Sequence, residues 1–211
     1  MRKRIIATAI SVFVIVFYTV KQVMLCRFTE YYVFFLIPYI LSNTAMLTML
    51  LLSLKNKPKE INDSNGMFFI CLVVANFPLI IALFGTNLAG SHINEKVRTL
   101  ASYLAIGAIP FYFFAVINLG KNLSVLPEAN ALKTSGIYSF SRHPLYSTYI
   151  YWYITQIFIL QSWIIVVLSI IQITLQIIRA INEEKILQRN FPAYGTYKKQ
   201  VWWIGKNVFS K

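Results

Sequence analysis

The sequence predicts an all-α membrane protein with about five to six transmembrane helices. Of its 211 residues, 57% are hydrophobic and only 13% are charged, whereas soluble domains carry about 25% charged residues. The apolar residues come in blocks of about 20, the length at which a helix crosses the hydrocarbon core of a bilayer. Neither the strand–helix alternation of soluble nucleotide-binding folds nor a glycine-rich phosphate loop is present, so an enzymatic function would have to use helices and their connectors.

Four blocks have the length of one span: residues 5–25, 31–54, 67–88 and 100–119. The first follows three basic residues, as a signal peptide does, but it is longer than a signal core and lacks an obvious small-residue cleavage site, so we interpret it as a retained span. A fifth block, residues 145–181, is too long for one simple span. Its interruption at Gln161, Ser162 and Trp163 predicts a C-terminal helical hairpin with a short, polar-spotted first arm.

The basic residues predict the orientation. With the N-terminus in the cytosol and six crossings, all but four of the 20 Lys and Arg residues lie inside, and only Lys21, Arg27, Lys96 and Arg98 lie outside. This distribution follows the positive-inside rule. The net charge of +13 is therefore mainly a topology signal, and we predict a lipid bilayer and no nucleic acid as the macromolecular partner. Both termini are predicted to be cytosolic.

Polar motifs divide the chain into residues 1–120, which are spans with short connectors, and residues 121–211, which carry all candidate chemistry. The second part has three cytosolic features: residues 136–146 (GIYSFSRHPLY), 182–184 (NEE) and 191–201 (FPAYGTYKKQV). No Cys/His cluster of metal-ligand spacing occurs. Cys26 and Cys71 lie in or beside apolar blocks, where a buried small hydrophobic residue is the ordinary reading.

Each feature has a structural interpretation beside a functional one. Pro144 suits the first turn of a helix, and Arg142 could reach headgroups or bind a carboxylate or phosphate at that helix end. Glu183 and Glu184 are either a solvated helix end or a site for a cationic ligand, because acids beside a membrane are costly. The aromatic and basic tail is either an interfacial segment or the wall of a cofactor or lipid pocket.

In this order, the three features resemble the isoprenylcysteine carboxyl methyltransferases and their bacterial relatives, a group that includes phospholipid methyltransferases. The residues that carry the resemblance are a glycine and a tyrosine before Arg142-His143-Pro144-x-Tyr146, a helical hairpin, Glu183-Glu184, and a tail with Tyr194 and Tyr197. The segments NLGKNLS at 118–124 and LKTSG at 132–136 extend it upstream. The resemblance covers roughly residues 116–201.

The resemblance implies S-adenosyl-L-methionine as cofactor, bound in a cytosolic pocket between the motif and the tail, and methyl transfer to a lipophilic small-molecule or prenylated acceptor. The residues that it assigns to the cofactor are Gly136, Ile137, Tyr138, His143, Pro144, Tyr146, Glu183, Glu184 and Tyr194. The catalytic candidates are Glu183, beside the cationic cofactor, and Arg142, as the clamp for an acceptor carboxylate. The upstream segments favour a bacterial cytoplasmic membrane as the location.

One position departs from the family pattern. The carboxyl methyltransferases usually have an arginine in the tail where this chain has Gln200, which cannot supply a charge to an acceptor carboxylate. Lys198 or Lys199 could substitute, although a lysine lacks the bidentate fork of arginine.

Two other functions remain open. Sterol-type membrane reductases that use NADPH carry a similar Arg-His-Pro-x-Tyr, but they have Asn where this chain has Leu145 and Arg-Asp-Glu where it has Asn182-Glu183-Glu184. A non-enzymatic membrane scaffold would use the same loops only for anchoring, and it would tolerate alanine at His143 and Glu183.

Overall fold

A computed structural model describes residues 2–25, 30–62, 64–74 and 88–203. Its helices are α1 (Arg2–Leu25), α2 (Glu30–Ser53), α3 (Asn65–Val74), α4 (Glu95–Gly107), α5 (Ile109–Leu119), α6 (Pro144–Leu160), α7 (Trp163–Asn190) and α8 (Ala193–Gln200), with short 3₁₀ turns at Gly120–Asn122 and Gly136–Ser139. Within these ranges there is no strand, and only one isolated β-bridge. The all-α prediction is confirmed.

Two described segments are long and apolar enough to cross a membrane: Glu95–Asn122 and Trp163–Asn190. They contain the predicted span at 100–119 and the second arm of the predicted hairpin. The predicted spans at 5–25 and 31–54 coincide with α1 and α2, each 24 residues long, and their crossing stays a prediction. The predicted span at 67–88 begins in α3, and most of it after Val74 lies outside the described residues.

The segment predicted as one helix over 100–119 is two helices, α4 and α5, that meet at Ala108. Pro110 stands at the start of α5. A proline within a helix removes one backbone hydrogen bond and its ring clashes with the preceding turn. The chain therefore restarts the helix with proline in the first turn, where the missing N–H costs little.

The predicted hairpin is formed by α6 and α7, which pack against each other. Gln161 ends α6 with a left-handed backbone (φ 45°), and Ser162 is extended. The Gln161 side chain donates to the Asn94 carbonyl and accepts from the Asn94 N–H, both at 2.9 Å. Since Asn94 also caps α4, this turn is joined to the start of α4.

The connector between α5 and α6 crosses the opposite end of the bundle. Lys59 and Asn62 donate backbone N–H groups to the carbonyls of Ala129 and Pro127, and Ala129 donates to Glu60. Leu123, Val125 and Leu126 from this connector join the buried core. The connector is thus held between the loop after α2 and the bundle, next to the first turn of α6.

Candidate functional site

The hairpin brings the two polar motifs together. Because α6 begins and α7 ends at the same end of an antiparallel pair, residues 142–143 and 183–184 become neighbours. Pro144 is the first residue of α6 and His143 is its N-cap. The helix α7 continues through both glutamates to Asn190.

Glu184 is the centre of an ion-pair cluster. Its Oε1 lies 3.0 Å from His143 Nε2 and 3.4 Å from Arg142 Nη2, and its Oε2 lies 2.7 Å from Lys198 Nζ. The side chains of His143, Glu184 and Arg142 are only 3%, 10% and 12% exposed. Glu184 therefore joins the start of α6 to α8, and both of its oxygens are engaged.

Glu183 has a different environment. Its Oε2 accepts a 2.6 Å hydrogen bond from the Tyr146 hydroxyl. The guanidinium of Arg179, one turn earlier on α7, lies over the Tyr146 ring at 5.2 Å from its centroid. Arg179 also donates from Nη2 to the carbonyl of Ser124 at 2.9 Å. Glu183 is thus placed by a neutral donor, and its charge remains available to a cationic group.

The tail helix α8 contacts both the segment before α6 and the end of α7. Tyr194 and Tyr197 are buried rather than interfacial, and the Tyr197 hydroxyl donates to the Tyr138 carbonyl at 2.5 Å. Burial raises the pKa of Tyr197 to about 12 and that of Tyr138 well above its ordinary value. Both phenols therefore stay protonated near neutral pH, and Tyr197 remains a donor.

Gly136 determines the backbone conformation just before Tyr138. Its backbone is left-handed (φ 65°), and a Cβ there would lie 1.8 Å from Asn118 Oδ1. Left-handed backbone costs roughly 1–2 kcal/mol for a residue with a Cβ.

We expect Gly136→Ala to lower the free energy of unfolding by at least about 1 kcal/mol, measured by denaturant titration of the detergent-solubilised protein. Gly107→Ala is the control, because it lies in α4 with open space around it; alanine should be neutral or stabilising there. Equal losses in both variants would contradict the role of the Gly136 backbone.

Two adjoining cavities lie inside this arrangement. They enclose about 470 and 440 Å³ of space, part of it open to solvent. Six residues border both of them: Leu119, Asn122, Glu128, Tyr138, Arg142 and Glu183. We call the cavity that Arg179 borders the inner cavity and the one that Leu187 borders the outer cavity.

The charged groups around the cavities differ in how well they are partnered. Arg142 uses Nη2 for Glu184, while its Nε and Nη1 are buried without a hydrogen-bond partner among the described residues. Glu128 is paired with Arg4 at 2.6 Å, and both side chains are at most 3% exposed. Burial raises the pKa of Glu128, an effect that Arg4 opposes. Arg142 and Glu183 thus both border the two cavities and both keep polar atoms that a ligand could bind.

The structure places the predicted site residues in three groups. Tyr138, Arg142 and Glu183 border both cavities, His143 and Tyr146 border the inner one, and Tyr194 borders the outer one. The remaining four border neither cavity: Gly136, Ile137, Pro144 and Glu184. Gly136 has a left-handed backbone and Pro144 begins α6. Glu184 holds the side chains of Arg142, His143 and Lys198 in place.

Several cavity residues escaped the sequence motifs, chiefly Glu128, Arg179 and Tyr149. Arg179 carried a readable signal, since it lies four residues before Glu183 and therefore on the same face of the helix. Glu128 carried none, because its partner Arg4 is far away in the chain.

Neither of the tail lysines that could substitute for the missing arginine borders the cavities. Gln200 is exposed at the end of α8 and borders neither cavity. Lys198 points to Glu184 and thus belongs to the ion-pair cluster. Arg142 is consequently the only one of these tail and motif cations that borders the cavities in the described part of the chain.

Comparison with known proteins matches less than half of the chain to one family model. Residues 100–189, from α4 to the end of α7, match the model of the isoprenylcysteine carboxyl methyltransferase (ICMT) family. No curated protein matches the chain. The family match indicates a membrane methyltransferase, in agreement with the two apolar helices of membrane-spanning length.

Proposed function

Since residues 100–189 match the isoprenylcysteine carboxyl methyltransferase family, we propose that this protein is an S-adenosyl-L-methionine-dependent methyltransferase that acts on a lipophilic or membrane-adjacent acceptor. The observation that carries the proposal is the meeting of Glu183 and Arg142 on a shared cavity wall. Among the described residues, the hydrogen-bond partner of Glu183 is the neutral Tyr146 hydroxyl, and Arg142 has two nitrogen atoms, Nε and Nη1, without a hydrogen-bond partner.

The residues present fit the cofactor. S-adenosyl-L-methionine has an ammonium, a carboxylate and a sulfonium, and when bound it supplies an electrophilic methyl group. Glu183 would hold the ammonium, because it is the cavity carboxylate whose described partner is a neutral hydroxyl. Tyr138, Tyr194 and Tyr197 would form the aromatic wall of the outer cavity, and aromatic faces favour cationic groups.

The remaining motif residues would position these groups. Glu184 holds His143, Arg142 and Lys198, so it would orient Arg142 toward the cavities. Arg142 would clamp an anionic acceptor through Nε and Nη1. Methyl transfer by in-line displacement needs mainly orientation and exclusion of water, and the burial of about nine-tenths of the Arg142, His143 and Glu184 side chains would favour both.

The proposed setting is a bacterial cytoplasmic membrane, crossed several times, with both termini and the Glu184 cluster on the cytosolic side. The positive-inside distribution of Lys and Arg supports this orientation. An isoprenylcysteine-type carboxylate is the first acceptor to test, because it combines an anionic head with an apolar chain.

Calorimetric titration of the detergent-solubilised protein tests the cofactor directly. S-adenosylhomocysteine should bind with a stoichiometry near one, and NADPH should not bind. Binding of NADPH alone would replace the proposal with a reductase, and binding of neither compound would leave a non-enzymatic membrane protein.

Glu183→Gln should weaken binding of S-adenosylhomocysteine by roughly ten- to a hundredfold, because a charged hydrogen bond contributes about 1.5–3 kcal/mol. The melting temperature should change little, since glutamine can still accept from Tyr146. Glu95→Gln, in the exposed first turn of α4, is the matched control and should bind as the unmodified protein does. Unchanged affinity in Glu183→Gln would rule out the ammonium contact.

A further inference from the structure

We infer that the start of α1 and the ends of α2 and α5 form a binding site for an anionic phospholipid of the surrounding bilayer. The cations of this site, which we call the basic patch, are Arg2, Lys55, Lys57 and Lys121, and none of them borders the cavities. The lipid headgroup would contact the basic patch, and the acyl chains would lie on the exposed apolar side chains beside it. This site does not depend on the proposed function.

Asn56 joins the three chain segments that carry the basic patch. Its carbonyl accepts a 3.0 Å hydrogen bond from Nη1 of Arg4, in the first turn of α1, and its side-chain amide donates to the Lys121 carbonyl at 2.6 Å. Lys55 and Lys57 flank it in the chain. The helix α2 also packs against both α1 and α5. The cations, which are far apart in the chain, therefore share one end of the bundle.

Exposed apolar side chains lead up to the basic patch on all three helices. Six of them, each at least 40% exposed, lie within two helical turns of a patch cation in the chain: Ile5, Ile6, Leu51, Leu52, Phe114 and Ile117. Residues three or four apart share a helix face, which is the spacing from Ile5 and Ile6 back to Arg2 and from Leu51 and Leu52 on to Lys55. The lipid-facing side of each helix thus ends in a cation at the level of the headgroups.

The charges of the basic patch are not neutralised within the described part of the chain. All four side chains are exposed, and none of them forms an ion pair with a described residue. The acids of the adjoining loop and connector have other partners, since Glu60 pairs with Arg189 and Glu128 with Arg4, each at 2.6 Å. Like charges gathered on one surface repel each other, so an anionic ligand would stabilise this end of the bundle.

The combination of charge and apolar surface favours a phospholipid over a soluble anion. A cation near the surface of an anionic membrane gains about 1 kcal/mol, whereas a zwitterionic headgroup carries no net charge to attract it. A soluble phosphate would meet the cations but would leave the neighbouring apolar side chains uncovered. We therefore expect phosphatidylglycerol to bind, and phosphatidylcholine with the same acyl chains to bind more weakly.

Native mass spectrometry of the full chain in a neutral maltoside detergent tests this site, because each bound lipid adds its own mass to the protein. Phosphatidylglycerol should bind at least about tenfold more tightly than phosphatidylcholine of identical chain length. Glycerol 3-phosphate, which has an anionic phosphate and no acyl chain, should not displace phosphatidylglycerol when added in excess.

In Lys55→Gln/Lys121→Gln the preference for phosphatidylglycerol should fall by about tenfold, because two of the four cations are removed. The matched control is Lys96→Gln/Arg98→Gln, which removes the same charge from exposed positions in the first turns of α4. Its preference should equal that of the unmodified protein. All four substitutions lie on the surface, so the melting temperature without added lipid should change little in either variant.

Equal binding of the two lipids by the unmodified protein, or binding of neither, would overturn the inference. The same holds for an equal loss of preference in both double variants, which would mean that the net charge of the protein and not the basic patch attracts the lipid. Displacement of phosphatidylglycerol by glycerol 3-phosphate would identify a soluble phosphate as the ligand and reject the lipid.

Discussion

Replacing Glu184 with glutamine is expected to lower the free energy of unfolding by about 3 kcal/mol, the lower end of the cost of leaving a buried charge without its partner. The guanidinium of Arg142, the imidazole of His143 and the ammonium of Lys198 meet this carboxylate, and the Arg142 and His143 side chains are almost completely buried. Glutamine has nearly the same shape but no charge, so the buried Arg142 guanidinium would lose its counter-ion. Denaturant titration in detergent measures the change.

We expect Glu184→Gln to weaken ligand binding as well as stability. Arg142 would no longer be oriented toward the cavities. We therefore expect a loss of affinity for S-farnesyl-N-acetylcysteine, which has a free carboxylate, at temperatures where the variant remains folded. Lys198→Gln is the informative comparison, because Lys198 is 43% exposed and an exposed ion pair contributes at most about 1 kcal/mol. If both variants lose the same stability, Glu184 is not the centre of the cluster.

Arg4→Met is expected to cost about 3–5 kcal/mol, the range for breaking a buried ion pair from one side. The Nε of Arg4 lies 2.6 Å from Glu128 Oε1, with side-chain exposures of 3% and 1%. Arg4 also donates to the carbonyls of Ser53 and Asn56, at 2.6 and 3.0 Å, and so satisfies backbone groups at the end of α2. Methionine would leave the buried Glu128 carboxyl beside both cavities without its counter-ion, and its pKa would rise further.

The double variant Arg4→Met/Glu128→Leu tests whether Arg4 and Glu128 stabilise the fold as a pair. Replacing both members of a buried ion pair with apolar residues is often nearly neutral, so the double variant should recover much of the stability lost in Arg4→Met. Arg2→Met, at an exposed position in the same helix, should stay within about 0.5 kcal/mol of the unmodified protein. Additive losses in the double variant would mean that Arg4 and Glu128 do not act as a pair.

Arg4 and Arg179 illustrate what hydropathy and charge counting can miss. Both were counted among the basic residues that orient the protein in the membrane, yet both are buried inside the described fold. Positive-inside reasoning reports on which side of a membrane a charge lies. It contains no information on whether that charge faces lipid headgroups, water or a carboxylate elsewhere in the chain.

The tail is a second case in which composition does not decide whether a residue is buried. Composition left both an interfacial belt and a pocket wall open for Tyr194 and Tyr197, whereas the structure buries both and bonds Tyr197 to Tyr138. Aromatic residues with a polar tip suit both environments. The choice between them depends on what α8 packs against, and that contact lies 59 residues away in the chain.

The sequence by itself determined the helical class, the interruption at Gln161 and the motif that lies within the family match. These features depend on apolar periodicity, local turn chemistry and residue order, all of which are readable within short windows. Only the tertiary structure decided that Glu184 contacts Arg142, His143 and Lys198 while Glu183 accepts from the Tyr146 hydroxyl, and that Arg179 and Glu128 border the cavities. Adjacent residues on a helix point about 100° apart, so two identical glutamates receive different partners only once the hairpin, the connector and α8 are packed together.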